Sequence, residues 1–412
     1  MSDFQFSLVL ILLAGLFQGT FGLGMKKFAP LAWEAFWLIF VVVGMVIIPY
    51  VSASLVVPDV WGAIQAVPSG DLWLSIILGG CWGVGALMFG LAINYIGMSL
   101  AYGITMSLAA AMGSLIPLFE VEDFATNPAV PWIIAGMVVM VLGVGVLSYA
   151  GILREVAQAR LGQAVAGIRQ GKMFYVGLLF AILNGLGAAL LNVGFTKASS
   201  AADAAELQGA LARNASLVAW IIVLFGGFLV NLVYSLLLLL KNKSFASYRL
   251  PKAHRGIIAA LITSLLWFAA LGVYGQGAAI MGDLGPVIGW SMFLALSLVI
   301  SSLWGLKDGE WKGMKAPLRV LLIGDGVLMI SWILLGYANS IQASGPGEQV
   351  EPSVRAVSPT TTDLTSGADE GRMPSARAGE TPATPRGAKT WIISNDSTRR
   401  LNARRLTVPA RG

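Results

Sequence analysis

The hydrophobic residues of this chain fall into long runs that are separated by short polar breaks. A helix needs about 20 apolar residues to cross the hydrocarbon core of a bilayer. Ten runs have that length, and few charged residues interrupt them. The pattern predicts ten transmembrane helices, at residues 4–23, 33–56, 72–95, 98–119, 130–150, 173–196, 217–240, 256–281, 285–306 and 318–338.

The composition supports a membrane protein and excludes several kinds of site. The 412 residues are 57% hydrophobic and 12% charged, and the charges cluster between the apolar runs. We therefore predict an all-α, polytopic integral membrane protein. Cys81 and His254 are the single cysteine and the single histidine. They exclude a disulfide framework and leave too few soft ligands for a zinc or haem site, so we expect no cofactor and no bound metal.

Lysine and arginine are distributed unevenly between alternate loops. The loops after helices 1, 5, 7 and 9 are basic, whereas the loops after the even-numbered helices contain only Lys197 and Arg213. Basic loops remain in the cytoplasm, so both termini are expected outside. The net charge of +6 then reports topology. No basic patch with interleaved aromatic residues indicates nucleic-acid binding.

The first half of the chain can be aligned with the second half with small local offsets. Gly15 and residues 24–27 match Gly185 and 194–197; Trp82, Gly90 and Gly97 match Trp267, Gly275 and Gly282; Gly136 and residues 149–150 match Gly324 and 337–338. One repeat is expected at residues 4–150 and another at 173–338. Because five helices is an odd number, the repeats are inverted, which favours alternating access to a site near the midplane over catalysis.

The residues after the last apolar run have a different composition. Residues 339–412 are rich in Pro, Ser, Thr, Ala, Gly and Arg and have no sustained apolar period. Such a segment cannot bury enough apolar surface to offset the entropy lost on ordering. We therefore predict a ten-helix transporter domain at residues 1–338, followed by a disordered polar tail at 339–412.

Several short segments carry a resemblance to a known family. They are 22–27 (GLGMKK), 33–37 (WEAFW), 82–85 (WGVG) continuing to 89–91 (FGL), 95–99 (YIGMS), Asn192, Gly226, Gly227, Asn231, Trp267, Trp290 and 305–311 (GLKDGEW). In this order they resemble the bacterial L-rhamnose/proton symporters, a ten-helix branch of the drug/metabolite transporter superfamily. The resemblance covers about residues 5–338. It implies uptake of a deoxyhexose with a proton through the bacterial inner membrane, without a cofactor.

The chain departs from the family in its third helix. The family carries polar amide side chains there, between the WGVG and YIG elements. This chain has Ala86, Leu87 and Met88 at those positions. The departure puts rhamnose itself in doubt more than it does transport.

A sugar site needs hydrogen-bonding groups for hydroxyls and aromatic faces for the C–H side of the ring. Polar candidates within the apolar runs are Gln18, Asn94, Asn184, Asn192, Asn231 and Gln276. In a membrane such side chains also tie helices together, which is the simpler interpretation of each one alone. Trp82, Trp267 and Trp290 lie deep in their runs, and Trp82 and Trp267 correspond in the repeat. We predict substrate binding by Trp82, Asn192, Asn231, Trp267, Gln276 and Trp290.

Proton coupling needs a titratable group that can exchange a proton within the membrane. Asp325 interrupts an apolar run, where a carboxylate costs about 2.5 to 3.5 kcal/mol on insertion scales. Glu34 begins the second helix, where an acidic residue also favours the helix N-terminus and could pair with Lys26 or Lys27. Asp325 and Glu34 are therefore the predicted coupling residues, with Asp325 chosen from its position and not from the resemblance. Sodium instead of a proton is an open alternative.

Other functions are compatible with parts of this pattern. The substrate could be another sugar, a nucleotide sugar or another metabolite, as the wider superfamily suggests. An intramembrane enzyme would need clustered His, Asp, Cys or Ser at depth, and the sequence shows no such constellation. A non-transporting sensor would not need inverted repeats. We expect a transporter whose partners are a sugar, a coupling ion and the lipid bilayer, and the sequence leaves its oligomeric state open.

Overall fold

The computed structural model describes residues 2–121, 124–160 and 172–344. These residues form helices and turns, with no strand among them. Ten helices are long and apolar enough to span a membrane, which confirms the all-helical, ten-helix prediction. They are α1 (Asp3–Met25), α2 (Trp33–Ser54), α3 (Ser69–Ile96), α4 (Met98–Leu118), α5 (Val130–Arg160), α6 (Lys172–Lys197), α7 (Ala212–Lys241), α8 (Ala253–Ile280), α9 (Gly285–Lys307) and α10 (Lys315–Ser344).

The last helix extends several residues beyond its predicted end at 338, and the boundary between transporter domain and tail remains a prediction. Helix α10 continues past residue 338 to Ser344. Asn339 is buried, and Gln342 accepts a hydrogen bond from Asn127 Nδ2 at 3.3 Å. These contacts allow polar residues to extend the helix beyond its apolar run. Residues 345–412, and with them most of the predicted disordered tail, lie outside the described residues.

Other helix ends also differ from the hydrophobic pattern. Helix α5 runs to Arg160, beyond the predicted end at 150, because Arg154 forms an ion pair with Glu310 and stacks over the Trp311 ring. Short helices occupy Val60–Gln65 and Ser199–Leu207, both predicted as loops. Polar residues can remain helical once they have left the hydrocarbon, so the apolar run marks the membrane span and not the whole helix.

Helix ends lie at two faces of opposite charge. The basic face contains the ends near Lys26, Lys241, Lys252, Lys307 and Lys315. The acidic face contains the other ends, near Asp59, Asp71, Glu120, Asp203 and Asp283.

The ten helices pack in reciprocal pairs. Helix α1 packs against α8 and α9, while α6 packs against α3 and α4, and α5 packs against α10. The repeat alignment exchanges α1, α3 and α4 with α6, α8 and α9, so it converts each of these pairings into another one. This exchange is expected of two antiparallel five-helix repeats. The bounds of the repeats at 4–150 and 173–338 remain a prediction.

Close glycine contacts follow the same exchange at the level of single residues. A Cβ added at Gly136 would lie 2.7 Å from Leu335 Cγ, and one at Gly324 would lie 2.7 Å from Leu147 Cδ2. The alignment that matches Gly136 with Gly324 also matches Leu147 with Leu335. The α5–α10 interface therefore contains two corresponding contacts, each between a glycine of one repeat and a leucine of the other. Small residues permit such backbone approach between helices in a membrane.

One set of ion pairs on each face joins the two repeats. On the basic face, Lys26 Nζ lies 3.1 Å from Asp308 Oδ2 and 2.9 Å from Glu310 Oε1. The hydrogen bond to Glu310 raises the pKa of the Lys26 ammonium. On the acidic face, Lys197 Nζ lies 2.8 Å from Glu120 Oε1. The register that matches Gly136 with Gly324 also matches Glu120 with Asp308. The alignment of 24–27 with 194–197 matches Lys197 with Lys27 and not with Lys26, so the two sets correspond in their acidic partners only.

We expect Gly324→Leu to lower the stability of the purified protein by about 1 to 3 kcal/mol or more, because the new side chain must displace Leu147. Gly326→Leu is the matched control, since nothing lies within 4 Å of a Cβ at that position. Thermal unfolding in detergent measures both. Equal midpoints for the two variants would contradict close packing at Gly324.

Candidate functional site

Two tryptophans from corresponding positions in the repeats stack on each other at the centre of their helices. The rings of Trp82 and Trp267 have centroids 5.8 Å apart and planes inclined by 12°. Each residue lies near the middle of its helix, α3 or α8. A Cβ at Gly227 would lie 2.6 Å from the Trp82 ring. The backbone of α7 can therefore approach the ring this closely only because residue 227 is glycine. The part that this pair takes in substrate binding remains a prediction.

Asn231, Trp37 and Phe40 surround the two stacked tryptophans. We call these five residues the midplane cluster. Asn231 Oδ1 accepts a hydrogen bond from Trp37 Nε1 at 3.1 Å, and its Nδ2 donates to the Gly227 carbonyl at 2.9 Å. The Phe40 ring lies between Trp37 and Trp267, with centroids 4.8 and 5.3 Å away. The cluster joins α2, α3, α7 and α8. Trp37 belongs to it, although Trp37 lies near the start of α2.

Asn192 lies in a second cluster, nearer the acidic face. Its Nδ2 donates to the carbonyls of Gly113 at 2.9 Å and Pro286 at 3.0 Å. Its Oδ1 accepts the hydroxyl proton of Tyr274 at 2.6 Å. The three bonds join α4, α6, α8 and α9. We call these four groups the Asn192 node.

Trp290 packs beside this node and is also hydrogen-bonded to backbone. Its Nε1 donates to the Ala109 carbonyl at 3.0 Å, and its ring meets the Tyr274 ring at 5.3 Å. Tyr274 lies seven residues after Trp267 and so on the same side of α8. That spacing was a usable signal for Tyr274, which the sequence analysis missed.

Among the remaining amides, Gln18 has a buried Oε1 with no partner among the described residues, and the others have separate partners. Gln276 Nε2 donates to Asn214 Oδ1 at 3.3 Å, at the acidic-face ends of α8 and α7, outside both clusters. Asn184 donates to Thr105 Oγ1 at 2.9 Å and ties α6 to α4. Asn94 donates to the carbonyl of Gly90 in its own helix. The structure therefore divides the predicted binding residues into two clusters and leaves Gln276 apart.

Asp325 lies in a different part of the bundle from the two tryptophan clusters. It is 8% exposed, hydrogen-bonds to Ser302 of α9, and its Oδ1 has no partner among the described residues. Ser302 and Trp290 are separated along α9 by about 18 Å, at 1.5 Å per residue. A buried acceptor without a partner is costly, and this one occurs on an ionisable group.

Glu34 has neutral partners and lies at the basic face. Its Oε1 accepts hydrogen bonds from Asn242 Nδ2, at 3.0 Å, and from the Ser244 hydroxyl. The suggested pairing with Lys26 is wrong, because Lys26 binds Asp308 and Glu310 instead. Glu34 therefore joins the start of α2 to the end of α7.

A cavity of about 790 Å³ opens at the acidic face. Its lining includes Pro117, Phe195, Ser216 and Pro286, with the carboxyl-bearing residues Glu120, Asp203, Glu206 and Asp283 around them. Pro286 also contributes a carbonyl to the Asn192 node, so the node lies directly beneath the cavity. Within the described residues, no group of three or more His, Cys, Asp or Glu could hold a metal ion.

Known proteins with similar sequences cover almost the same part of the chain. The family model of the L-rhamnose-proton symport protein matches residues 5–340. The L-rhamnose-proton symporter of Yersinia pestis (strain Pestoides F) is 27% identical over 322 residues, which cover 76% of this chain and 91% of that protein. The L-rhamnose-proton symporter of Klebsiella pneumoniae subsp. pneumoniae is 25% identical over 320 residues, with the same two coverages. These relatives are transporters and not enzymes, and this chain belongs to the L-rhamnose-proton symport protein family.

Proposed function

We propose that this protein is a secondary active transporter that imports L-rhamnose or a related sugar together with a proton. The observation that carries the proposal is the stacked pair of Trp82 and Trp267. Residues that correspond in two inverted repeats meet halfway along their helices, where an alternating-access transporter holds its substrate. Family membership supports the same substrate class.

The distribution of charge supports an orientation for transport. Basic helix ends remain in the cytoplasm, so the basic face is proposed to lie inside and the acidic face outside. The protein would reside in a bacterial inner membrane with both ends of the ten-helix bundle outside. The acidic-face cavity is then the outer vestibule through which a sugar arrives.

The midplane cluster has the chemistry that a deoxyhexose needs. Trp82 is half-buried, and its ring can offer a face to the C–H side of a sugar ring. The amides and hydroxyls nearby are few, and the half-buried Ala86, Leu87 and Met88 follow Trp82 along α3. This surface suits a sugar with an apolar edge. Asn231 is the proposed hydrogen-bonding group of the site.

Asp325 is the proposed coupling residue. Moving a carboxylate through a low-dielectric interior is costly, so a conformational change is easier once the group has been neutralised by a proton. Protonation would also convert a carboxylate with an unpartnered oxygen into a group with fewer acceptor sites to satisfy. Because Asp325 bonds to Ser302, the change would act on the α9–α10 contact.

The helices packed against Asp325 place no basic side chain beside it in the membrane interior. Helix α10 packs mainly against α5 and α9. Their charged residues are Arg154, Glu155, Arg160 and Lys307, all at the basic-face ends. Arg154 is engaged with Glu310. We assign coupling to Asp325 and a structural role to Glu34, because Glu34 already has two neutral hydrogen-bond donors.

We expect Asp325→Asn to abolish proton-driven accumulation while sparing exchange of sugar across the membrane. A gradient of about one pH unit can support about tenfold accumulation through one coupled proton, since about 1.4 kcal/mol corresponds to a factor of ten. Uptake of labelled L-rhamnose into proteoliposomes with an imposed pH gradient measures the ratio. The variant should equilibrate the sugar at a ratio near one.

Two further variants make the coupling test specific. Asp3→Asn removes an exposed carboxylate and should leave accumulation unchanged. Glu34→Gln should also accumulate sugar, although its bonds to Asn242 and Ser244 weaken. Undiminished accumulation by Asp325→Asn would remove Asp325 from the mechanism. Accumulation that follows a sodium gradient and ignores pH would replace the proton with sodium.

We expect Trp267→Ala to raise the KM for L-rhamnose, because the substitution removes the partner that orients the Trp82 ring. Aromatic pairs contribute about 0.5 to 1.5 kcal/mol, which corresponds to about two- to tenfold. Initial uptake rates over a range of sugar concentrations measure the effect. Trp61→Ala is the control, since Trp61 is exposed and lies at the start of the short helix Val60–Gln65. An unchanged KM in Trp267→Ala would place the sugar elsewhere.

A further inference from the structure

The backbone of α4 lacks one of its own hydrogen bonds at the Asn192 node. Pro117 lies within the helix and has no N–H to donate to the carbonyl of Gly113, four residues earlier. Asn192 Nδ2 donates to that carbonyl from α6 at 2.9 Å. A side chain of the second repeat therefore replaces a backbone bond that the first repeat cannot form.

Tyr274 determines how the Asn192 amide is presented. Its hydroxyl donates to Asn192 Oδ1 at 2.6 Å, so the NH2 group is turned toward the carbonyls of Gly113 and Pro286. Tyr274 and Asn192 are both fully buried. The Tyr274 ring is held in turn by Phe293, at 5.2 Å, and Trp290, at 5.3 Å.

The node separates the acidic-face cavity from the midplane cluster. Pro117, Pro286 and Phe195 line the cavity, and Phe195 stacks on Trp220 with ring centroids 4.4 Å apart. On α8, Tyr274 lies about 10 Å from Trp267 toward the acidic face, at 1.5 Å per residue. A solute in the cavity must pass the node and these rings to reach the two stacked tryptophans.

Among the described residues, the positions of the basic half that align with this node cannot form the same hydrogen bonds. The repeat alignment matches Asn192 with Gly22 and Tyr274 with Phe89. Gly22 has no side chain and Phe89 has no hydroxyl, so the same hydrogen bonds cannot form there. The basic half has a different buried contact, in which Asn184 donates to Thr105 Oγ1 and joins α6 to α4.

We propose that Tyr274 is a positioning residue for transport: it holds the Asn192 amide across α4 and α9, and the resulting node is the gate that closes the acidic face. The inference rests on alternating access as proposed above. The gate opens when α4 separates from α6 and α9, which requires the bond from Asn192 Nδ2 to the Gly113 carbonyl to break. Weakening the node therefore increases the fraction of protein that is open to the acidic face.

A thiol-labelling experiment can test the gate without any substrate. In a Cys81→Ala background, Leu271→Cys places one thiol on α8 between Trp267 and Tyr274, behind the gate. Ala212→Cys places a thiol in the cavity, in front of the gate, and shows from which side of the membrane the reagent must come. Labelling by a membrane-impermeant maleimide is followed in cells or sealed vesicles.

Tyr274→Phe removes only the hydroxyl and should raise the labelling rate of Leu271→Cys about two- to tenfold, the usual worth of one hydrogen bond. Labelling of Ala212→Cys should not change. Tyr248→Phe is the matched control. This variant likewise loses one hydroxyl. The Tyr248 hydroxyl donates to the Ala35 carbonyl at 2.8 Å, near the basic face and away from the node. Equal Leu271→Cys labelling in Tyr274→Phe and its parent would overturn the gate.

Pro117→Ala provides a second test that deletes no polar group. Alanine restores an N–H at position 117, which can bond to the Gly113 carbonyl and compete with Asn192. We expect faster labelling of Leu271→Cys here as well. If Tyr274→Phe does not fold, Pro117→Ala alone tests the gate. An unchanged labelling rate of Leu271→Cys in Pro117→Ala would then overturn the proposal. A parent protein without rhamnose uptake would contradict the proposed function and leave the labelling result unaffected.

Discussion

A polar side chain in the membrane interior cannot turn to water, and it must find its hydrogen-bond partners within the protein. The packing of this bundle depends on that constraint. Asn231 ties α7 to α2, Asn184 ties α6 to α4, and Asn192 joins four helices. These amides hold the bundle in one arrangement. Gln18 Oε1 and Asp325 Oδ1 are both buried without a partner among the described residues. Asp325 differs from the amides because its side chain is ionisable, which is why we propose it for proton exchange.

The two repeats share their packing but differ in how each half is closed. Gly136 with Leu335 and Gly324 with Leu147 show the shared packing. At the basic face, the repeats meet through exposed ion pairs of Lys26 with Asp308 and Glu310. At the acidic half, they meet through the pair of Lys197 with Glu120 and also through the buried amide of Asn192. Exposed ion pairs are weak and are screened by salt, so salt should weaken the ion pairs at both faces more than the buried amide.

Much of the fold could be predicted from the sequence, because length and hydrophobicity determine which segments can cross a bilayer. Helix ends were less predictable, as in α5 and α10, because ion pairs and amide contacts with distant residues extend them. In the site, Trp82 and Trp267 were identifiable from the repeat. The pairing of Glu34 was wrong, since Asn242 and Ser244 approach it only after α7 folds back to α2. The seven-residue spacing of Tyr274 from Trp267 was visible in the sequence. Its hydrogen-bond partner, Asn192, was not, because that residue lies on another helix.

The sequence by itself determined the ten membrane spans, their two inverted sets and the presence of a carboxyl group within α10. Those features follow from local composition and from order along the chain. Only the tertiary structure decided that Asn192 completes the hydrogen bonding of α4, and that Asn192 and Trp290 lie apart from Trp82 and Trp267. The physical reason is that a helix pattern gives the direction of each side chain relative to its own axis. The partner that it meets depends on how distant helices pack.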